Sequence, residues 1–208
     1  MTGRFITLEG GEGVGKSTQA RALAAALRAR GIELIETREP GGSEGAEAIR
    51  RLLLEGSADR WSARAEALLF AAARADHLEK TILPALATGK WVICDRFLDS
   101  SLAYQGGADG LGDEAIKALH QIGSNGYLPD RTLLLALPPG EASHRAQHRD
   151  RGQSDRIGGR DGIYHTRVAA IFDGLAAAEP RRFRRIDALG ATDEVTARLI
   201  AALADLLP

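Results

Sequence analysis

Phe5-Ile6-Thr7-Leu8-Glu9, followed at once by Gly10-Gly11-Glu12-Gly13-Val14-Gly15-Lys16-Ser17-Thr18, is the stretch that decides the fold. The first five residues read as a short apolar strand running straight into glycines. From Ser17 to Arg30, Ala20, Leu23, Ala24 and Leu27 recur at helical spacing, and Gly31 ends the run. Residues 10–17 satisfy G-x-x-x-x-G-K-[ST] at every fixed position, and they stand between a strand and a helix, where the pattern has its chemical meaning. In such a turn the backbone N–H groups point inward and wrap a polyphosphate, while the helix adds the positive end of its dipole. Lys16 supplies a mobile cation to the β- and γ-phosphates, and the Ser17 hydroxyl is placed to ligate Mg²⁺. A chance glycine-rich turn would not meet all these conditions together. The stretch Gly10–Thr18 therefore predicts a nucleoside triphosphate with Mg²⁺ and leaves the phosphate acceptor open.

Outward from this stretch, strands and helices alternate. Ile32–Thr37, Trp91–Asp95, Leu133–Leu137 and Phe183–Asp187 read as further short strands. Between them lie helical patterns. Ser43 caps a helix with Ala46, Ile49 and Leu53 on one face. Arg64–Thr88 is a long Ala/Leu region that Pro84 should kink, and Glu114–Ile122, Glu141–Arg151, Tyr164–Ala178 and Glu194–Leu207 follow. Residues 151–162, polar and rich in Gly and Arg, read as a mobile loop. Five short strands separated by helices predict an α/β fold of three layers, with a central five-stranded parallel sheet and helices on both faces.

The whole chain bounds the partners. Its 208 residues fit one domain. With 27 Lys+Arg against 28 Asp+Glu it lacks the basic excess of a nucleic-acid scaffold, so no nucleic-acid partner is expected. One cysteine cannot form an intrachain disulfide. No segment has the apolar length of a signal or a membrane span, so a cytoplasmic protein is expected. Of the basic residues 23 are Arg, so each arginine needs a positional argument before it counts as functional. A GTPase would need an N-K-x-D base reader, yet Asn125 is the only asparagine, and no L-S-G-G-Q-like transporter signature is present. A small kinase with a small acceptor is thus the expected class.

LEGGEGVGKST at 8–18, TREPGG at 37–42, FAAARADH at 70–77, CDRFLDSSLAYQGG at 94–107, YLPD at 127–130 and RGQSDRI at 151–157 occur in one order. In that combination the sequence resembles the thymidylate kinase family, in its bacterial form with lid arginines. The likeness runs from near the N-terminus to about residue 170, and the last forty residues add little. It implies the P-loop nucleoside monophosphate kinase fold over residues 1–208, a lid at about 149–162, ATP as donor and dTMP as acceptor, a homodimer, and a place in dTTP synthesis.

The resemblance also implies roles for residues. Glu12, an odd anion beside phosphates, would reach the acceptor sugar. Phe70 and Arg74 are i and i+4 on a helix; on residue type alone a core Phe and a surface Arg is the simpler reading, and the resemblance turns them into a thymine stacker and a base-carbonyl donor. Arg38, Arg50 and Arg96 would hold the acceptor phosphate, with Arg96 best placed at the end of an apolar strand. Arg51 reads as a solvated neighbour. Pro40 with Gly41-Gly42 shapes the turn ahead of Ser43. Ser101, Tyr104 and Gln105 would line thymine and deoxyribose. Asp95 would hold Mg²⁺ through water or orient Arg96, unless it is a strand-end helix cap. Lys16, Arg96, Arg151 and Arg156 form the implied catalytic set, with Arg151 preferred in the lid; Arg149 and Arg160 are explained by the general Arg richness.

The chain departs from the family pattern at Ala136, where Asp is common, at Tyr164, where Phe is common, and in a longer lid containing Gly158-Gly159. His144 and His148 share a helix face without a third ligand, and Cys94 reads as a small core residue. Two other readings stay open at this point: a kinase for another nucleoside monophosphate or a deoxynucleoside, and a non-catalytic nucleotide-binding module.

Overall fold

The computed structural model of the chain describes residues 3–57, 59–138, 140–142, 145 and 156–208. Five strands, β1 (Phe5–Glu9), β2 (Leu34–Arg38), β3 (Trp91–Asp95), β4 (Arg131–Ala136) and β5 (Phe183–Asp187), form one sheet in the order β2-β3-β1-β4-β5. Every pairing is parallel. The expected five-stranded parallel sheet is therefore present. β1 lies centrally because its residues are buried on both faces: Ile6 and Leu8 point to one layer and Phe5 to the other.

The helices that frame the sheet include α1 (Lys16–Arg28), α2 (Glu44–Leu54), α3 (Ala63–His77), α4 (Leu83–Ala87), α5 (Leu98–Ser101), α6 (Asp113–Ser124), α7 (Gly162–Ala178) and α8 (Thr192–Ala201). One layer joins α1 and α8, where Leu23, Leu27 and Leu199 pack on Ile93, Leu133 and Leu135. The opposite layer sets Ala67, Ile82 and Ile116 against Val92 and Cys94, and Val168 and Phe172 of α7 against Leu134. Each fully buried Leu in these layers contributes about 2 kcal/mol through lost water contact. Cys94 is a buried core thiol, as its strand position predicts. Among the described residues no helix is long and apolar enough to cross a membrane.

Two departures from the expected elements shape the site. The region expected over Arg64–Thr88 runs through α3, a π-helical turn at Leu78–Ile82, and α4. Pro84 has no N–H to give, and its ring crowds the carbonyl of Lys80 one turn back. The path widens into a π turn just before it and then continues. A second π-helical segment, Leu102–Ala108, extends α5 where no helix was expected. Burial drives it: Leu98, Leu102, Ala103 and Tyr104 all face the interior. Gly107 permits the close approach to α7, since a Cβ there would lie 2.3 Å from Ile171 Cδ1. The helix expected over Glu141–Arg151 and the loop over 151–155 lie largely outside the described residues.

Candidate active site

The carboxyl ends of β1, β2 and β3 open onto a cleft of about 410 Å³. That size suits a small ligand, and the edge position is where open α/β sheets collect ligands. One end of the cleft is the turn between β1 and α1. Gly13 (φ 76°) and Gly15 (φ 93°) occupy left-handed conformations that residues with a Cβ rarely adopt. Gly15 caps α1 without a side-chain hydrogen bond, so the first amides of the helix keep their donors. Gly13, Gly15, Ser17 and Thr18 line the cleft. Gly10, Gly11 and Val14 stand behind it. Val14 is buried in the core between α1 and the sheet, so only its backbone can serve a phosphate. A Cβ on Gly10 would lie 2.4 Å from the Leu135 carbonyl oxygen.

Lys16 is folded back on this turn. Its Nζ donates to the Gly10 and Gly11 carbonyls at 3.0 and 2.6 Å. Burial, and after it the nearby Arg96 charge, pulls its ammonium down to about 8, against the opposing pull of Glu12, Asp95 and Glu9. A bound polyphosphate favours the charged form, so nucleotide binding above this value must take up a proton. Nucleotide affinity is therefore expected to fall as pH rises through about 8, approaching tenfold per pH unit. Titration calorimetry with a non-hydrolysable ATP analogue, in two buffers of different ionisation enthalpy, checks it. A flat affinity without proton uptake between about pH 7 and about pH 9.5 contradicts this linkage.

Asp95 ends β3 beside the first turn of α1. Its Oδ2 accepts from Ser17 Oγ at 2.5 Å, while Oδ1 is buried with no hydrogen-bond partner among the described residues. An orphaned carboxylate oxygen next to a hydroxyl is a hard-oxygen pair suited to Mg²⁺, which keeps most of its shell as water and phosphate. The two residues thus fit the ion that the motif implies. No group of three or more His, Cys, Asp or Glu able to hold a metal occurs among the described residues.

Arg96 follows at φ 73°, a left-handed backbone that turns its side chain across the cleft. Nη1 donates to the Gly10 carbonyl (3.2 Å) and Ser100 Oγ (3.0 Å), and Nη2 donates to Glu12 Oε1 (2.5 Å). The guanidinium also lies 5.2 Å from the centre of the Tyr104 ring. The anion inside the phosphate turn thus has a protein counter-charge, so Glu12 faces Arg96 first and a ligand second. Burial pushes the Tyr104 hydroxyl up to about 12, partly opposed by Arg96.

The other wall carries Arg38, Pro40, Arg50, Phe70, Arg74, Ser101, Tyr104 and Gln105, all lining the same cleft. Arg74 is nearly inaccessible. Nε donates to Glu39 Oε2 at 2.8 Å, and Nη2 donates to the Phe97 carbonyl (3.1 Å) and Ser101 Oγ (2.9 Å). Nη1 has no hydrogen-bond partner among the described residues, so it remains a donor for a ligand carbonyl. Arg50 Nη1 donates to the Pro40 carbonyl at 2.6 Å. Arg38 is half exposed and paired with Glu47 at 2.9 Å.

One expected catalytic residue falls elsewhere. Arg156 does not line the cleft. Its Nη2 pairs with Glu66 Oε2, and its Nε donates to the Leu53 carbonyl at 2.9 Å. In this structure that guanidinium is tied to a buried carboxylate of α3 and a carbonyl of α2. Arg149, Arg151, His144 and His148 lie outside the described residues.

Three acids that the sequence reading passed over complete the site. Glu9 is fully buried and accepts from Phe97 N (2.7 Å) and Ser100 Oγ (2.6 Å), which pins the start of the Arg96 loop. Burial, and then the Asp99 charge, pushes its carboxyl up to about 8, partly offset by Ser100 and Arg96. Glu39 holds Arg74 and His77, the latter at 3.1 Å. Glu66 holds Arg156 and Gln105. A signal for Glu66 was available: Glu66, Phe70 and Arg74 are spaced by four along α3 and share one face.

Known proteins give this geometry a lineage. The family model described as thymidylate kinase matches residues 8–199. A thymidylate kinase of Rhizorhabdus wittichii is 71% identical over 208 residues, covering 100% of both chains. That of Gluconobacter oxydans is 51% identical over 209 residues, covering 99% of this chain and 96% of its own. The crystal structure of thymidylate kinase from Ehrlichia chaffeensis superposes with a TM-score of 0.79 at 30% identity, covering 98% of this chain and 100% of that one. A parallel five-stranded sheet, a phosphate turn and an arginine wall in one cleft, matched end to end by these relatives, place the chain in the thymidylate kinase family.

Proposed function

We infer that the chain transfers the γ-phosphate of ATP to dTMP, giving dTDP and ADP on the way to dTTP. Family membership over the full length supports this. The observation that carries the chemistry is one cleft with Lys16 and the glycine turn at one end and Phe70, Arg74 and Tyr104 at the other. A phosphate monoester has a second pKa of about 6, so the acceptor is largely dianionic near neutrality and needs no general base. Catalysis then rests on position and charge. Lys16 neutralises the donor tail. Arg96, held between Gly10 and Glu12, spans from the donor turn toward the acceptor phosphate, with Arg38 and Arg50 behind it. Phe70 stacks on the base, Arg74 Nη1 donates to a ring carbonyl, and the Tyr104 ring excludes a 2′-hydroxyl by bulk. Ser17 and Asp95 would hold Mg²⁺, whose charge would help offset that of the ATP phosphates.

The same reading makes the chain one kinase domain, with a lid at about 149–162 whose Arg151 approaches the transferred group. It also makes the protein a cytoplasmic homodimer. Leu68 of α3 and Ile122 of α6 are 56% and 83% exposed on a pair of packed helices, apolar surface of the kind a second copy would cover.

A panel of dTMP, dUMP, dGMP, AMP, UMP and CMP with ATP·Mg²⁺, followed by diphosphate formation, tests the activity. dTMP is expected to lead the purine and ribose monophosphates in kcat/KM by at least about a hundredfold. A different leading acceptor, or no diphosphate from any of them, overturns the assignment.

A further inference from the structure

Glu66 is a buried carboxylate to which the mechanism above gives no part. Glu66 lies in the first turn of α3, 1% exposed, one helical turn before Phe70. Its two oxygens are divided. Oε2 pairs with Arg156 and lies 3.7 Å from Arg160 Nη2. Oε1 accepts from Gln105 Nε2 at 3.0 Å. Gln105 is itself buried and lines the acceptor end of the cleft.

The division has a chemical consequence. A carboxylate paired with a guanidinium only accepts hydrogen bonds, whereas a primary amide both donates and accepts. Gln105 can therefore meet Glu66 in one orientation alone, through its NH₂. That leaves Oε1, without a hydrogen-bond partner among the described residues, as the polar atom it has for a ligand. Arg74 Nη1 is the complementary donor on the same wall. Together they offer an acceptor and a donor within one cleft. A pyrimidine-2,4-dione presents a ring N–H next to a carbonyl and matches both. A 4-aminopyrimidin-2-one presents a bare ring nitrogen next to an amine and opposes both.

We propose that Glu66 is a positioning residue for acceptor-base selection: it holds the Gln105 amide with its oxygen toward the base, and Arg156 holds Glu66. The proposal rests on the acceptor reading given above and deepens it. Glu66 touches no substrate; it acts through Gln105. Arg156 anchors this selection through the other carboxylate oxygen.

The test compares kcat/KM for dTMP with that for dCMP in the full-length protein, for wild type, Glu66→Gln, Gln105→Met and the double variant. Replacing the carboxylate by an amide lets the Gln105 amide turn over. The dTMP:dCMP ratio is expected to fall on the order of tenfold in Glu66→Gln, the worth of one oriented hydrogen bond. In the Gln105→Met background the same substitution is expected to change the ratio by less than about twofold, because the group through which it acts is gone. A structural defect would lower both substrates together and leave the ratio where it was. Should Glu66→Gln fail to fold, Glu66→Asp keeps the charge for Arg156 but draws back from Gln105, and the same loss of ratio is expected. A ratio preserved in the Glu66 variants, or lost equally in both backgrounds, overturns the Glu66 assignment while the wild type still discriminates. A wild-type protein indifferent to the base overturns the acceptor reading itself, and this proposal with it.

Discussion

Lys16→Met is expected to lower kcat/KM by about a thousandfold or more while the protein stays folded. The loss follows from removing the cation that meets the donor tail in a cradle built of dipoles, where charge complementarity is the chief catalytic effect. A thousandfold corresponds to roughly 4 kcal/mol of transition-state stabilisation. Folding is expected to tolerate the change because Lys16 is charged there against the preference of its surroundings: burial has already lowered its ammonium to about 8. Methionine keeps the volume and gives up two hydrogen bonds, to Gly10 and Gly11. Steady-state phosphoryl transfer and a thermal melt check the two halves separately. Near-normal turnover in a folded variant means that the donor does not bind in the glycine turn.

Arg96→Met is expected to cost a similar amount, about a hundred- to a thousandfold in kcat, for a different reason. Arg96 is tied to Gly10, Ser100, Glu12 and the Tyr104 ring at once. Losing it removes a donor to the reacting phosphates and also takes from Glu12 the counter-charge that faces it across the cleft. The second effect can be separated from the first. Adding Glu12→Gln to Arg96→Met is expected to recover about tenfold of the lost activity, since it removes the repulsion and leaves the missing contact missing. Arg96→Lys is expected to regain little, because a single ammonium cannot reach Gly10 and Glu12 together. If the double variant is no better than Arg96→Met, Glu12 is not repelling the substrate.

The sheet was legible in the sequence for a simple reason. Trp91–Asp95 is an uncharged run until its last residue, and Phe5–Glu9 ends on glycines, so a strand buried on both faces announces its own limits. The phosphate turn was legible because its chemistry is local: every group it needs lies within eight residues. The segment Leu102–Ala108 was not, since Gly106 and Gly107 argue against a helix and only the packing of Tyr104 and Ala103 overrules them. The acids were hidden for another reason. Glu9 meets Ser100, Glu39 meets Arg74 and Glu66 meets Arg156 across 91, 35 and 90 positions of chain. No spacing rule reaches so far, because the topology decides which side chain arrives. Arg156 shows the same limit: nothing in its basic loop signals the buried carboxylate with which it pairs.

Val14 carries a last implication. Its side chain is clamped among α1 and sheet residues, and its neighbour Gly10 is pressed onto β4. A loop nailed to the interior at its middle has little conformational freedom to surrender when an anion settles into it. Most of the ordering that recognition of a flexible, highly charged tail demands was completed when the chain folded, so the tail's own stiffening is the main entropy lost on docking.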